Sequence, residues 1–190
     1  MTLPTPQHGA LAPSPWVQRW STLVAPGASV LDVACGTGRH ARWFAARGAR
    51  VTALDRDAQA MAAMLALPGA AIELIVADIE DGPWPLPGRH FDVVVVTNYL
   101  WRPLMPALVA SIDVGGLLIY ETFAQGNETV GKPSNPDYLL HPGELLQLAA
   151  DLRVIAFEDG FIAEAPARFV QRIAAVRQAE RSAAPARYPL

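Results

Sequence analysis

The ten residues VLDVACGTGR, from Val30 to Arg39, constrain the fold of this chain more than any other stretch. They begin with an apolar, partly β-branched run that is long enough for a strand buried on both faces, with Asp32 inside it. Gly36 and Gly38 follow at once, and from Arg39 the apolar spacing becomes helical. Glycines let a ligand approach the backbone, and the N–H groups of a following helix point at that ligand. The stretch therefore predicts a strand, a tight turn and a helix at a nucleotide site.

The glycine turn alone leaves two interpretations open. The run Gly36-Thr37-Gly38-Arg39-His40-Ala41 fits the dinucleotide fingerprint with alanine in its last place. A strand-to-helix turn that binds nothing has the same pattern. The rest of the chain has to decide between them.

Length and composition indicate one globular domain. The chain has 190 residues, of which 52% are hydrophobic, so it can bury a sizeable core. We expect a loose arm over residues 1–13, one domain over residues 14–178 and a flexible tail over residues 179–190.

Charge and cysteine usage narrow the class of partner and the compartment. The net charge is −3, so composition gives no basic surface for nucleic acid. Cys35 is the only cysteine, which excludes an intramolecular disulfide and favours a reducing cytoplasm. No apolar stretch is long enough to cross a bilayer. We expect a soluble cytoplasmic protein, a monomer or homodimer, without nucleic acid or membrane partners.

Strand and helix patterns alternate along the chain. Strands are predicted over residues 30–34, 50–54, 72–77, 91–96, 117–122 and 154–157, and helices from Pro15, from Arg39, from Ala58, over 104–112 and over 145–152. Gly115-Gly116 is predicted as a turn, and the spacing over residues 169–176 fits a strand or a helix. Residues 123–143 form a long connection that is rich in Gly, Asn and Pro, as is typical of a lid, a binding loop or a disordered segment.

Polar side chains stand at the ends of successive predicted strands: Asp32, Asp55, Asp78 and Asn98. Asp55 follows Gly36 by 19 residues, near the spacing at which an acidic side chain accepts ribose hydroxyls. A single aspartate at such a position is most simply a helix cap or a solvated strand end. Three in register favour a ligand at the carboxyl edge of a parallel sheet.

This pattern resembles the class I S-adenosylmethionine-dependent methyltransferases, whose glycine turn reads acidic-x-x-x-Gly-x-Gly, as Asp32 to Gly38 does here. The segments PSPWVQRW and CGTGRH, together with the stretch from Tyr120-Glu121-Thr122 to His141-Pro142-Gly143-Glu144, are similar to the small bacterial tellurite-resistance and thiopurine-type methyltransferases. The resemblance implies a Rossmann-like α/β fold: a mostly parallel seven-stranded sheet in the order 3-2-1-4-5-7-6, its last strand antiparallel, with helices on both faces.

The resemblance also implies S-adenosylmethionine as cofactor, S-adenosylhomocysteine as product and no metal. Asp55 would accept the ribose hydroxyls, Asp78 the adenine amine beside Ile79, and Asp32 would face the ammonium group. Arg19 would meet the carboxylate. The implied cofactor site consists of Arg19, Asp32, Ala34, Gly36, Gly38, Asp55, Arg56, Asp78, Ile79 and Asn98.

The implied catalytic residues are Asn98 and Tyr99, near the reactive methyl, and His141 as a base. Tyr99, Trp101, Tyr138 and His141 are the candidates for contact with the methyl acceptor.

Several of these side chains have a structural interpretation as well. Arg19 flanks Trp16 and Trp20 and can lie over them, and His141 can be an ordinary loop histidine. Glu121 can orient a nucleophile or end a strand in water. His40 and Cys35 are expected to be structural, Cys35 as a small filler.

The function we expect is in-line transfer of a sulfonium methyl group to a small molecule. The tip Thr97-Asn98-Tyr99-Leu100 lacks the Asn/Asp-Pro-Pro-aromatic motif of enzymes that methylate nucleic-acid amino groups. A nicotinamide oxidoreductase is the less favoured alternative, because Lys132 has Glu128 rather than tyrosine four residues before it. A non-catalytic S-adenosylmethionine-binding module stays open, since no obligatory catalytic side chain distinguishes it.

Overall fold

The computed structural model of the chain describes residues 12–62, 64, 71–179 and 187–189. Most of the predicted arm over residues 1–13 and of the predicted tail over residues 179–190 lies outside the described residues. Both therefore stay predictions.

Seven strands form one sheet in the order β3-β2-β1-β4-β5-β7-β6. The strands are β1 (Ser29–Val33), β2 (Arg50–Asp55), β3 (Ile72–Val76), β4 (Phe91–Thr97), β5 (Ile112–Phe123), β6 (Arg153–Ile162) and β7 (Arg168–Val176). Neighbours from β3 to β5 are parallel, and β7 is antiparallel to both β5 and β6. The strand order and the antiparallel last strand are as predicted.

Side chains alternate between the two faces of the sheet along each strand, so both faces present apolar side chains. Helices pack on both faces and cover them. The helices are α1 (Pro15–Trp20), α2 (Arg39–Ala45), α3 (Ala58–Ala62), α4 (Met105–Ala110) and α5 (Glu144–Leu148). Val30 packs in a core with α1, α2 and α3, whereas Leu31 packs in a second core with α4 and α5. The Rossmann-like layering is confirmed.

The start of α1 follows from its sequence. The Ser14 side chain accepts the Trp16 N–H at 3.1 Å, and Pro15 occupies the first turn, where its missing N–H costs nothing. The α-helix ends at Trp20 and a 3₁₀ turn, Ser21–Leu23, completes the segment.

The predicted boundaries between α4 and β5 are wrong. The helix predicted over residues 104–112 begins with a 3₁₀ turn, Arg102–Leu104, and ends at Ala110. Ile112 already pairs with Phe91, and the next pair is Leu117 with Val93, so the predicted Gly115-Gly116 turn is a bulged part of β5.

The ambiguous segment over residues 169–176 is strand β7. It lies between β5 and β6 and pairs with both, so tertiary pairing decides a choice that local spacing leaves open. No helix within the described ranges is long and apolar enough to cross a membrane.

Candidate functional site

The carboxyl ends of β3, β2, β1 and β4 meet at one edge of the sheet. The register pairs Asp32 of β1 with Ala53 of β2, and Asp55 at the end of β2 with Val76 of β3. Asn98 follows the last residue of β4 directly. The predicted row of polar side chains therefore shares one edge.

A cleft of about 180 Å³ opens at this edge. We call it the Asp55–Asp78 cleft; its lining residues are Ala34, Asp55, Arg56, Ala77, Asp78, Ile79, Glu80 and Tyr99. Half of the predicted cofactor residues thus line a single cleft, together with the predicted catalytic residue Tyr99.

The backbone beside this cleft is held in an unusual conformation. Ala34 has φ 52° and Asn98 has φ 54°, in the left-handed region that residues other than glycine seldom adopt. The Asn98 N–H donates to the Glu121 carbonyl at 2.9 Å. Such strain persists where the surrounding structure enforces it, commonly at ligand sites.

The two glycines of the turn, Gly36 and Gly38, are needed for different structural reasons. At Gly36 (φ 54°) a Cβ atom would meet nothing within 4 Å, so the space above the turn is open. At Gly38 (φ 77°) a Cβ atom would lie 1.9 Å from the Met64 sulfur. Gly36 leaves room for a ligand, whereas Gly38 lets buried Met64 pack against the start of α2.

Asp55 and Asp78 are oriented by backbone amides. Asp55 accepts the Gly36 N–H at 2.7 Å on one oxygen and the Asp57 N–H at 2.9 Å on the other. Asp78 accepts the Glu80 N–H at 2.9 Å, and this bond, with the charge of Arg56, keeps the pKa of Asp78 below its usual value. Each carboxylate oxygen carries two lone pairs, so both groups can still accept bonds from a ligand.

Asp32 is in a different environment. Its side chain is buried, with a residue exposure of 1%, and neither oxygen has a hydrogen-bond partner among the described residues. Burial, opposed by the nearby Ala41 backbone N–H and the charge of Arg39 and reinforced by the charge of Asp55, raises its pKa to about 7. Buried carboxylates are almost always hydrogen-bonded, so this one lacks a donor that a ligand would bring.

A second opening of about 400 Å³ continues from the first. We call it the Asn98–Tyr138 cleft; its lining residues are Arg56, Glu80, Asn98, Tyr99, Leu100, Thr122, Phe123, Pro133 and Tyr138. Arg56, Glu80 and Tyr99 line both clefts. The two openings are therefore adjacent.

Tyr99 lies at the junction of the two clefts. Its hydroxyl is buried, makes no close hydrogen bond within the described part of the chain, and faces the Glu80 carboxylate. Burial and the nearby Glu80 carboxylate hold the pKa of Tyr99 well above its usual value. The phenol therefore stays neutral and can donate a hydrogen bond, but it is not a base.

The long connection over residues 123–143 is a packed loop that contributes to the second cleft. Ala124 bridges to Leu140, and the Asn127 side chain donates to the Pro133 carbonyl at 3.0 Å. Two 3₁₀ turns, Asn127–Thr129 and Pro136–Tyr138, complete it. This packing carries Pro133 and Tyr138 to the lining of the cleft.

Other predicted residues lie outside the lining of both clefts. The Arg19 guanidinium stacks over Trp20 at 4.8 Å and is 3.8 Å from a Glu158 oxygen, which agrees with the structural interpretation. His141 is exposed and contacts Gln125 at 3.0 Å through Nδ1. Trp101 packs against the core. None of these three lines either opening.

The interpretation of Glu121 as a strand end in water is wrong. Glu121 is buried, accepts a hydrogen bond from the Ser14 hydroxyl at 2.8 Å and lies 3.3 Å from an Arg172 nitrogen. It therefore holds the start of α1 against β5 and β7.

His40 is structural, as predicted. It is buried, its Nε2 accepts the Ser14 N–H at 3.1 Å, and its Nδ1 contacts the Thr97 hydroxyl at 3.2 Å. Burial lowers the pKa of His40 to about 3, so it stays neutral. Cys35 is likewise structural: it is a buried free cysteine, and burial raises the pKa of its thiol.

Sequence reasoning did not assign Glu80, Thr122 or Pro133 to the site. Glu80 stands two residues after Asp78, and this proximity to a strand end was a usable signal. Pro133 reaches the cleft only through the packing of its loop, for which the sequence holds no local signal.

Comparisons with known proteins agree with this geometry. Residues 30–113 match the family described as "Methyltransferase domain". The malonyl-[acyl-carrier protein] O-methyltransferase of Serratia marcescens is 35% identical over 107 residues, which are 54% of this chain and 41% of that protein. The chain thus spans less than half the length of this curated relative.

Solved structures share the fold. TehB from Haemophilus influenzae has a TM-score of 0.71 at 18% identity, covering 85% of this chain and 61% of that one. A TehB-like SAM-dependent methyltransferase from Corynebacterium glutamicum has a TM-score of 0.63 at 16% identity, covering 86% and 87%. Residues 30–113 thus match a methyltransferase domain, and the strand order and the solved structures show that the chain has the Rossmann-like fold of these S-adenosylmethionine-dependent methyltransferases.

Proposed function

We propose that this chain is an enzyme that transfers a methyl group from S-adenosylmethionine to a small-molecule acceptor. The observation that carries the proposal is the pair of adjoining clefts, which share Arg56, Glu80 and Tyr99. A methyl transfer needs a donor and an acceptor side by side. The Asp55–Asp78 cleft would hold the donor, and the Asn98–Tyr138 cleft would hold the acceptor.

The residues of the first cleft fit the donor. Asp55 offers carboxylate lone pairs to a ribose diol, and Asp78 offers them to an adenine amine beside the Ile79 side chain. The buried Asp32 carboxylate, without a partner among the described residues, suits an ammonium group. The open space above Gly36 would take the chain that links these groups.

The mechanism demands alignment more than acid–base chemistry. The bound donor supplies an activated methyl group, which a nucleophile displaces in line. The chain would contribute by orienting the acceptor through Asn98 and Tyr99 and by excluding water with the loop that carries Pro133 and Tyr138. Tyr99 would donate a hydrogen bond rather than accept a proton, because its pKa is raised.

Two alternative functions, an oxidoreductase and a non-catalytic binding module, agree less well with the structure. A dinucleotide-binding sheet has the order 3-2-1-4-5-6, without the antiparallel strand that lies between β5 and β6 here. A binding module that has lost turnover would be expected to fill the acceptor side, but about 400 Å³ stay open there.

We propose the cytoplasm as its location and a small molecule rather than nucleic acid or a membrane as its partner, with the chain acting as a monomer or homodimer. The single free cysteine supports the cytoplasm as the location. The net charge of −3 supports a partner other than nucleic acid.

A thermal shift tests the proposal. S-adenosylhomocysteine at about 100 times its Kd should stabilise the fold by ~2.7 kcal/mol and raise the Tm by several degrees. NADH at the same concentration should leave the Tm unchanged, because the strand order is not that of a dinucleotide site. Stabilisation by NADH alone would favour an oxidoreductase instead.

Replacing Asp55 tests the donor side of the site. Asp55→Ala should weaken binding of S-adenosylhomocysteine by ~1–3 kcal/mol, because it removes a charged hydrogen-bond acceptor. Isothermal titration calorimetry measures the change. Asp151→Ala, at an exposed carboxylate that lines neither cleft, is the matched control. An unchanged Kd in D55A would contradict the assignment.

A further inference from the structure

The charges around the Asn98–Tyr138 cleft restrict what it can accept. Arg56 and Glu80 are the only charged residues in its described lining. The Arg56 guanidinium lies 3.6 Å from an Asp78 oxygen and 3.9 Å from a Glu80 oxygen, so one cation faces two carboxylates. The three groups together carry a surplus negative charge. An anionic acceptor would therefore meet repulsion without an unshared cation to offset it.

Glu80 is placed to take part in recognition. Its side chain is 30% exposed and lines both clefts, so it stands where donor and acceptor would meet. The 3.9 Å pair with Arg56 is a long contact, and the Tyr99 hydroxyl faces the same carboxylate, so lone pairs of its two oxygens stay available to a further partner. A hydrogen-bond donor on the acceptor molecule would bond to these lone pairs of Glu80.

The walls of the same cleft are aromatic. Tyr99, Phe123 and Tyr138 line it together with Pro133. The Tyr138 side chain is an exposed large hydrophobic group, at 45%. Aromatic faces attract flat rings and cations, and their negative π-faces do not favour anions.

We infer that the acceptor is an aromatic molecule that is uncharged or cationic and carries a hydrogen-bond donor, which Glu80 receives. This inference rests on the proposed function and adds a class of acceptor and a recognition residue to it. It sets the chain apart from a methyltransferase that acts on a free carboxylate.

Three phenols of one size test the inference. They are 4-hydroxybenzamide (neutral), tyramine (cationic) and 4-hydroxybenzoate (anionic). Their binding to the S-adenosylhomocysteine-saturated protein is measured by ligand-observed NMR titration, which does not depend on turnover. The amide and the amine should bind about tenfold tighter than the carboxylate, since removing one repulsive charge pair is worth about 1.4 kcal/mol.

The variant Glu80→Gln tests the residue. It keeps the shape of the side chain and removes the charge, so the preference for amide over carboxylate should fall to within about threefold, or roughly 0.7 kcal/mol. Glu164→Gln, at an exposed glutamate that lines neither cleft, should keep the wild-type preference. Each variant is measured at saturating S-adenosylhomocysteine, so a changed cofactor affinity does not enter the result.

The failures of the two proposals are distinguishable. If S-adenosylhomocysteine does not bind, the proposed function is wrong. If it binds but 4-hydroxybenzoate binds as well as the amide, or none of the three phenols binds, the inference about the acceptor is overturned. A tenfold preference that survives in E80Q would overturn the role of Glu80.

Discussion

We expect Asp32→Asn to raise the free energy of unfolding of the ligand-free protein by up to about 4 kcal/mol at pH 8. Burial raises the Asp32 pKa from 3.8 to about 7. The folded state therefore keeps the proton that the unfolded state loses near pH 4. The destabilising contribution of Asp32 should grow as pH rises from about 4 to about 7, and its full cost is present above pH 7. At about 1.4 kcal/mol for each pKa unit, the rise of the Asp32 pKa from 3.8 to about 7 destabilises the folded state by about 4 kcal/mol at pH 8.

Urea denaturation at pH 5 and pH 8 measures this effect. The stability that D32N gains over the wild type should be larger at pH 8 than at pH 5, because its amide does not ionise. The buried neutral His40 has the opposite pH dependence, but it is present in both proteins and cancels in this comparison. Asp151→Asn, at an exposed position, should retain the wild-type pH dependence. An equal gain in stability for D32N at the two pH values would show that Asp32 does not carry a raised pKa.

The same substitution should weaken binding of S-adenosylhomocysteine about tenfold or more, because a neutral amide replaces the charge proposed to face the ammonium group. Near pH 7 the wild type should also release protons on binding, as an opposing charge lowers the pKa of Asp32. Calorimetry in buffers of different ionisation enthalpy counts these protons. A more stable protein that binds its ligand less well would mark Asp32 as a functional residue.

The sheet and the row of aspartates could be predicted because their signals are local. Buried strands show as apolar runs; Asp55 and Asp78 stand at or just beyond the ends of such runs, and Asp32 lies one residue before the end of β1. The strand order came from the resemblance to a known family, not from spacing. The assignment of residues 169–176 needed information from elsewhere, since only pairing with β5 and β6 makes them a strand.

The parts of the site that could not be predicted depend on distant contacts. The sequence around Glu121 is that of an ordinary strand end. The hydrogen bond that Glu121 accepts from Ser14, far away in the chain, has no local signal. The sequence around Arg19 slightly favours packing over the tryptophans and leaves a ligand-binding cation open, and the stacking on Trp20 with the nearby Glu158 of β6 supports the first. The acceptor side depends on loop packing, which periodicity does not encode.

The second large effect is expected at Gly38, where Gly38→Ala should lower the free energy of unfolding by about 2–5 kcal/mol. An L-residue in the left-handed region costs ~1–2 kcal/mol, and overpacking a core adds ~1–3 kcal/mol. Both apply here, because φ is 77° and the new Cβ would lie 1.9 Å from the Met64 sulfur. Met64 is 3% exposed and packed in the core with Met61, so its side chain has to shift within the core to admit the new Cβ.

Gly36→Ala is the matched control for this test, because Gly36 has a positive φ of 54° but open space at its Cβ position. It should cost only the backbone term, ~1–2 kcal/mol. Chemical denaturation of the ligand-free variants measures both. In a Met64→Ala background the clash is gone, so G38A should then cost about as much as G36A. If the gap between the two glycine variants persists without the Met64 side chain, packing against Met64 is not the reason that glycine is required at position 38.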